Sequence, residues 1–299
     1  LSDLTITRRY GVPERLHPSR ETRSADVTDL TLVTVARLST EGHLVVEINC
    51  SSDARDHRLQ LALPLGEGPA QHAATFGKEL HPTEPLEFTD WVHPAPSTFC
   101  HQGWVARDGL LLLAPGLHEA ELDGDSVLIT LLRAVGWMSR PDLRTRPGRA
   151  SPAIPVPGAQ CREGVSARIA LMPDPVNPTT RWSMLETFEL GPIVVPAGDR
   201  PLIHENTPIL EVDHTVLTAL KPADDGDGIV IRLWNPADAE STARLRLGEA
   251  SLQVQQCRLD ETTSPSDHTQ HLAMGDTFLI DARPHQMITL RWKDTNENR

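Results

Sequence analysis

Lysine is nearly missing from this chain: Lys78, Lys221 and Lys293 are the only three in 299 residues. Acidic residues outnumber basic ones by 41 to 28, for a net charge of −13, and no basic cluster interrupts that balance. Phosphate backbones and anionic headgroups reward clustered Lys and Arg, so neither nucleic acid nor a membrane surface is an expected partner. Long apolar runs are lacking too. The longest, Leu110 to Ala114, is strand-sized and far short of the ~18 residues of a membrane helix. The four cysteines (Cys50, Cys100, Cys161, Cys257) lie far apart and form no CxxC pair, which excludes a thiolate zinc knuckle. Aromatics are 4% of the residues, with Tyr10 the single tyrosine. That is few for the row of exposed rings by which carbohydrate-binding modules stack sugars. GxSxG, GxxxxGK[ST], HExxH and a strand-borne GxGxxG are all absent, so no nucleophile, phosphate-loop or zincin signature is present. The chain opens on Leu1 rather than methionine, and we expect a processed product or a piece of a longer polypeptide. The unpatterned cysteines and the lack of a visible export signal point to the cytoplasm.

What is present is alternation of period two. Thr31–Leu38 and His43–Asn49 are β-branched-rich runs around a Gly-containing turn. His57–Leu65 places Leu59, Leu61, Leu63 and Leu65 on one face and Arg58, Gln60 and Ala62 on the other. Further strands are expected at Phe99–Ala106, Leu110–Ala114, His118–Leu122, Ser126–Val135 and Val165–Met172, with Asp123-Gly124-Asp125 as a tight hairpin. Arg144–Gly158 holds four prolines and reads as a long irregular loop. Asn177-Pro178 opens a helix to about Glu186, because Asn caps well and Pro at the first helical position gives up no needed hydrogen bond. After a Pro/Gly-rich connector, seven strand-like runs follow between Ile209 and Trp292, about the size of an immunoglobulin-like sandwich. The expected organisation is all-β: a large domain over 1–190, a linker over 191–204, and a small sandwich over 205–299.

Several constellations invite chemistry. Asp224, Asp225 and Asp227 suggest a calcium loop, but the closing bidentate Glu is missing and a hairpin is the better reading. Asp53, Asp56, His57 and Arg58 offer an acid–base pair or, more simply, a solvated turn. His268 and His271 have chelating spacing only on a helix, and their segment is polar and helix-poor. His101, beside Trp104, allows a sugar-facing patch, against the simpler reading of a core tryptophan. Arg133 ends a strand just before the long loop, where a guanidinium fork can reach a hydroxylated or anionic ligand or simply join a surface ion pair.

Ile129–Cys161 (ITLLRAVGWMSRPDLRTRPGRASPAIPVPGAQC) resembles a segment of the large β-domain of bacterial glycoside hydrolase family 38 α-mannosidases. The upstream order is similar as well, from Asp56-His57-Arg58 through His101-Gln102-Gly103-Trp104-Val105 to Gly109–Leu113. Leu217–Asn235 is similar to the family's C-terminal sandwich. The resemblance implies a large antiparallel supersandwich (galactose-mutarotase-like) followed by an immunoglobulin-like sandwich. It implies a retaining hydrolase whose aspartate nucleophile and zinc ligands sit in an N-terminal α/β domain, the partner of this region. Nothing here matches those motifs, so no catalytic residue and no metal ligand is assigned, and zinc is expected only in that other domain. Arg133 is the best match to an arginine that approaches the rim of the sugar site, with Trp137 on the same rim. The family includes mannosylglycerate hydrolases, so a mannoside or a mannosylglycerate-like sugar is expected. The alternatives are a stand-alone carbohydrate-binding module and a purely structural sandwich.

Overall fold

A computed structural model describes residues 3–84, 86–87, 90, 95–143, 148–191, 210–247, 252–263, 269–272 and 277–294. The chain divides into two compact units, Leu1–Asp174 and Pro175–Arg299.

The first unit contains β1 (Leu4–Pro13), β2 (Val27–Leu38), β3 (Leu44–Ser52), β4 (Arg58–Pro64), β5 (Ala70–Ala74), β6 (Gly77–His81), β7 (Thr98–Cys100), β8 (Trp104–Arg107), β9 (Leu110–Leu113), β10 (Glu119–Asp123), β11 (Ser126–Arg133) and β12 (Val165–Pro173). They form an eight-stranded sheet, in the order β1-β2-β3-β12-β9-β8-β5-β6, and a four-stranded sheet, β4-β11-β10-β7. The alternation in β4 is realised: Leu59, Leu61 and Leu63 pack on a core that includes Ile48, Val105, Leu112, Val127, Ile129 and Ile169. Arg107 is buried yet satisfied. Its guanidinium donates to the carbonyls of Gly68 (2.9 Å) and Gly124 (2.8 Å), so a strand of one sheet grips the hairpin turn of the other.

The second unit holds α1 (Pro178–Leu190), β13 (Leu210–Asp213), β14 (Val216–Pro222), β15 (Ile229–Trp234), β16 (Ser241–Leu247), β17 (Leu252–Cys257), β18 (Thr269–Leu272), β19 (Thr277–Ala282) and β20 (Met287–Asp294). Sheets β13-β16-β19 and β14-β15-β20-β17-β18 enclose Ile231, Leu233, Leu245, Phe278, Ile288 and Leu290. Asn235 is fully buried at the end of β15, and its amide donates to the carbonyls of Ala239, Ala282 and Arg283 at 2.9–3.1 Å. The Asn177 side chain caps α1 by accepting from the Thr179 N–H at 3.0 Å.

Three expectations change. The helix runs to Leu190 and groups with the second unit, where Trp182 meets Trp234 edge-on, so the compact units divide at Asp174/Pro175 rather than at 190–205. Phe99–Ala106 is two strands in different sheets, because the chain turns a corner at Gly103. Strands β1, β5, β6 and β18 join the expected set. The linker over 191–204 lies outside the described residues beyond Gly191.

The Asp-rich stretch is a hairpin turn between β14 and β15. Its carboxylates are engaged by cations: Asp224 by Lys221, Asp225 by Arg291 and Asp227 by Lys293. Buried Glu261 accepts from Lys221 at 2.5 Å and from the Asp224 N–H at 2.8 Å, contacts that hold its carboxyl below the usual range. Gly228 closes the turn at φ +99°, and a Cβ there would stand 2.4 Å from the carbonyl oxygen of Trp292. Gly228→Ala is therefore expected to destabilise the second unit by about 2 kcal/mol or more, read as a lower denaturation midpoint in urea.

Candidate functional site

Strand β11 breaks the alternation of the first unit's smaller sheet. Val127 and Ile129 stand opposite Leu63 and Leu61 and face the core. A bulge between Thr130 and Leu132 then adds one residue, and Leu131 takes a further buried position. Without it, parity would send Arg133 inward after residues 127, 129 and 131. With it, Arg133 pairs with Arg58 and emerges exposed on the outer face.

The two facing arginines have different fates. Arg58 bonds Glu121 at 2.5 Å and Glu119 at 3.4 Å, and Thr130 donates to Glu119 at 2.7 Å. Glu121 is held below the usual carboxylate range by the Ser97 hydroxyl first, then by Arg58 and Gln60. Beyond its ladder pairing, Arg133 has no side-chain hydrogen bond or ion pair among the described residues.

Arg133 borders a cleft of about 820 Å³ that lies wholly within the first unit. One wall is the loop after β1, from Leu16 to Arg20; the second is Asp56–Arg58; the third runs from Arg133 to Arg140. The walls are pinned from behind. Arg23 donates to the carbonyls of Pro13 and Arg55 at 2.9 Å and to that of Asp56 at 2.6 Å. Asp56 and Gln160 exchange two hydrogen bonds at 2.8 and 2.9 Å. Gly136 lies so close to this pair that a Cβ would stand 2.8 Å from the Gln160 amide nitrogen.

The Pro-rich stretch is more ordered than expected. Val135 and Met138 donate to the carbonyls of Ala159 and Ile154, Val156 donates to that of Gly136, and Trp137 bridges to Pro155. Proline cannot donate, but its carbonyls and its neighbours' N–H groups still pair. Residues 144–147 lie outside the described residues.

This backing presents Trp137, which is 41% exposed, with the Arg140 guanidinium 4.8 Å from its ring centre. Asp142 holds Arg140 through Nε (3.0 Å) and Nη2 (3.1 Å) and also pairs with Arg20, so its carboxyl stays below the usual range. The cleft thus offers one uncommitted guanidinium near a partly exposed indole. That combination suits a vicinal diol or a carboxylate on a ligand with an apolar CH face.

Of the three residues singled out for sugar contact, Arg133 and Trp137 come together and His101 does not. His101 is fully buried, and neither ring nitrogen has a hydrogen-bond partner among the described residues. Its place as a substrate contact is corrected: it sits at the corner between β7 and β8, with its backbone N–H on the His118 carbonyl at 3.0 Å. Trp104 beside it is a core residue. The Asp53–Arg58 segment is structural rather than a free acid–base pair: Asp53 bonds Arg162 at 2.6 Å and Asp56 is committed to Gln160. His57 is pushed to lower pKa by burial and by Arg23, outweighing Asp56. His268 lies outside the described residues, and His271 is in strand β18. Among the described residues no three His, Cys, Asp or Glu side chains are grouped to hold a metal. The loop wall at Leu16–Arg20 and the lock by Gln160 have no sequence signal, since both are contacts between distant segments.

Residues 214–290 match the family description "Glycosyl hydrolases family 38 C-terminal beta sandwich domain". That match lies within the second unit. Over 295 residues the chain is 29% identical to the "Putative mannosylglycerate hydrolase" of Halalkalibacterium halodurans, covering 94% of this chain and 31% of that protein. An α-mannosidase structure from Enterococcus faecalis V583 superposes with a TM-score of 0.74 at 17% identity, over 97% of this chain and 33% of the other. A second family 38 protein from Enterococcus faecalis gives 0.72 at 16% identity, over 97% of this chain and 34% of its own. At these identities the structural likeness is one of fold. The chain spans about a third of the length of the relatives it matches. It is thus a family 38-like chain with the all-β fold of these sandwiches.

The buried His101 imidazole makes the first unit acid-sensitive. Burial first, then His118 and His72, push its pKa from 6.5 down to about 4. Above 6.5 it is neutral in both folded and unfolded states, and stability is fully present. As pH falls from 6.5 towards 4 the unfolded chain binds a proton that the native chain refuses, losing on the order of 3 kcal/mol. His101→Leu should flatten the fall of Tm between pH 7 and 4.5; an unchanged slope would contradict this account.

Proposed function

We propose that this chain is the non-catalytic C-terminal part of an α-mannosidase-like retaining glycoside hydrolase, supporting a catalytic domain and lending its cleft to the rim of the sugar site. The reading rests on the match of residues 214–290 to the family 38 C-terminal domain, set beside relatives about three times as long. In such an enzyme two carboxylates about 5 Å apart carry retaining hydrolysis through an oxocarbenium-like transition state. Those carboxylates and the family's zinc are expected in the catalytic domain. The described residues here do not fit a metal, and no step is assigned to one. The name of the Halalkalibacterium halodurans relative supports a mannosylglycerate-like substrate, whose carboxylate the uncommitted Arg133 would suit. Trp137 would face the sugar ring.

The same exposed Trp137 favours the second reading, a stand-alone carbohydrate-binding module. Enzyme assay and binding assay separate the two. The pure 299-residue chain should not turn over an aryl α-mannoside, and any turnover above buffer would sink the non-catalytic assignment. In a longer polypeptide that contains this sequence, Arg133→Ala should raise KM roughly tenfold or more while kcat changes little, as expected when a contact common to ground and transition states is lost. Millimolar-or-better binding of mannosides by the isolated chain, with no KM effect of Arg133→Ala, would favour the module.

A further inference from the structure

The two sheets of the first unit differ in width. The eight-stranded sheet is faced by one of four strands. The core between them takes Ile48 from β3, Ile169 from β12 and Leu112 from β9, with Leu32 and Val46 partly buried at its margin. No residue of β1 belongs to it.

The register shows that the apolar face nevertheless continues outward. Leu4 pairs with Ala36, and Ala36 with Val46; Leu38 pairs with Leu44 two residues further on. Directly paired residues of an antiparallel sheet project to the same side, as do residues two apart. Leu4, Ile6, Tyr10, Leu38 and Leu44 therefore share the side on which Val46 and Ile48 meet the core. Yet Leu4 is 60% exposed and Leu38 52%, and Ile6, Tyr10 and Leu44 are exposed as well. Arg8 is the one charged residue of β1 on that side, and the opposite face of β1 carries Thr5, Thr7 and Arg9. A face patterned for burial is left in water, and β1 also presents a ten-residue edge with no strand beyond it in its sheet among the described residues. Both features mark a surface that is normally covered.

We infer that the uncovered side of β1, β2 and the start of β3 is the seat of the polypeptide that family 38 relatives carry outside the region matched here. This rests on the proposed function. The relatives hold about two thirds of their length outside the matched region, and the family domain found in this chain is a C-terminal one, so an occupant in the same polypeptide is at hand. The chemistry asked of it is an apolar surface with an acidic or hydroxyl group to meet Arg8. A second copy pairing edge to edge through β1 is the competing occupant.

Hydrogen exchange decides between them. The isolated 299-residue chain is compared with the longest polypeptide containing this sequence that the source cells make, with sedimentation velocity run on both. The expected result is exchange of the amides of 4–12 at least tenfold slower in the longer polypeptide than in the isolated chain, which sediments as a monomer. Ile6→Glu with Leu38→Glu in the longer polypeptide should restore fast exchange at 4–12 without changing exchange in β9 or β11. Equal exchange in both forms overturns the docking surface while leaving the functional reading intact. Protection that appears only with dimerisation of the isolated chain overturns it in favour of a second copy. A source product no longer than this chain overturns both.

Discussion

A β-strand has two faces, and in each unit here one of them meets the other sheet while its neighbour meets water. Burying one face of every strand supplies the apolar area that holds the sandwich together, and it fixes the direction of each side chain by its parity in the sequence. Leu59, Leu61 and Leu63 go inward because they are odd steps of one strand, and Arg58 and Gln60 go outward for the same reason. A buried polar group is costly in this setting unless it is engaged, and His101 carries that cost. Arg107 and Asn235 avoid it through main-chain carbonyls at the ends of strands, where the ladders run out and carbonyls need donors.

The candidate site comes from breaking that rule once. One extra residue near Leu131 shifts the parity of β11, so that its last residue, Arg133, leaves the core side and faces Arg58. Two like charges opposite one another are unfavourable unless one is neutralised. Glu119 and Glu121 take Arg58, which leaves Arg133 as the uncommitted charge at the mouth of the cleft. The same parity followed outward to β1 explains the apolar surface beyond the edge of the narrower sheet. An engaged arginine, an uncommitted arginine and an uncovered apolar face are three consequences of one alternation, its bulge and its margin.

The strand set was largely legible because alternation is local. Thr31–Leu38, Leu110–Ala114 and Val165–Met172 needed no knowledge of their partners to be recognised. The Asn177 cap and the Asp-Gly turns were legible for the same reason. Strand β1 carries the same signal in its Leu4, Ile6, Tyr10, Val12 spacing, whereas β5 (AQHAA) and β6 (GKELH) are five residues each and have no apolar alternation to find. His101 shows the limit from the other side. Residue type placed a histidine beside a tryptophan on a strand, but only the corner between two sheets decided that the imidazole would be sealed from solvent.

By itself the sequence determined the all-β class, the parity of most strands and the Asp-rich hairpin, since each depends on residues within a few positions of one another; the cations that balance the hairpin, Arg291 and Lys293, are 66 positions away from their partners. The tertiary structure decided which of those residues meet. The bulge is invisible until β4 and β11 are paired, because it is a mismatch between two strands and not a property of either. The cleft exists because Leu16, Asp56, Arg133 and Gln160, separated by up to 144 positions in the chain, are brought to one end of a sandwich. The uncovered face exists because one sheet is wider than the other, a quantity that no single strand encodes.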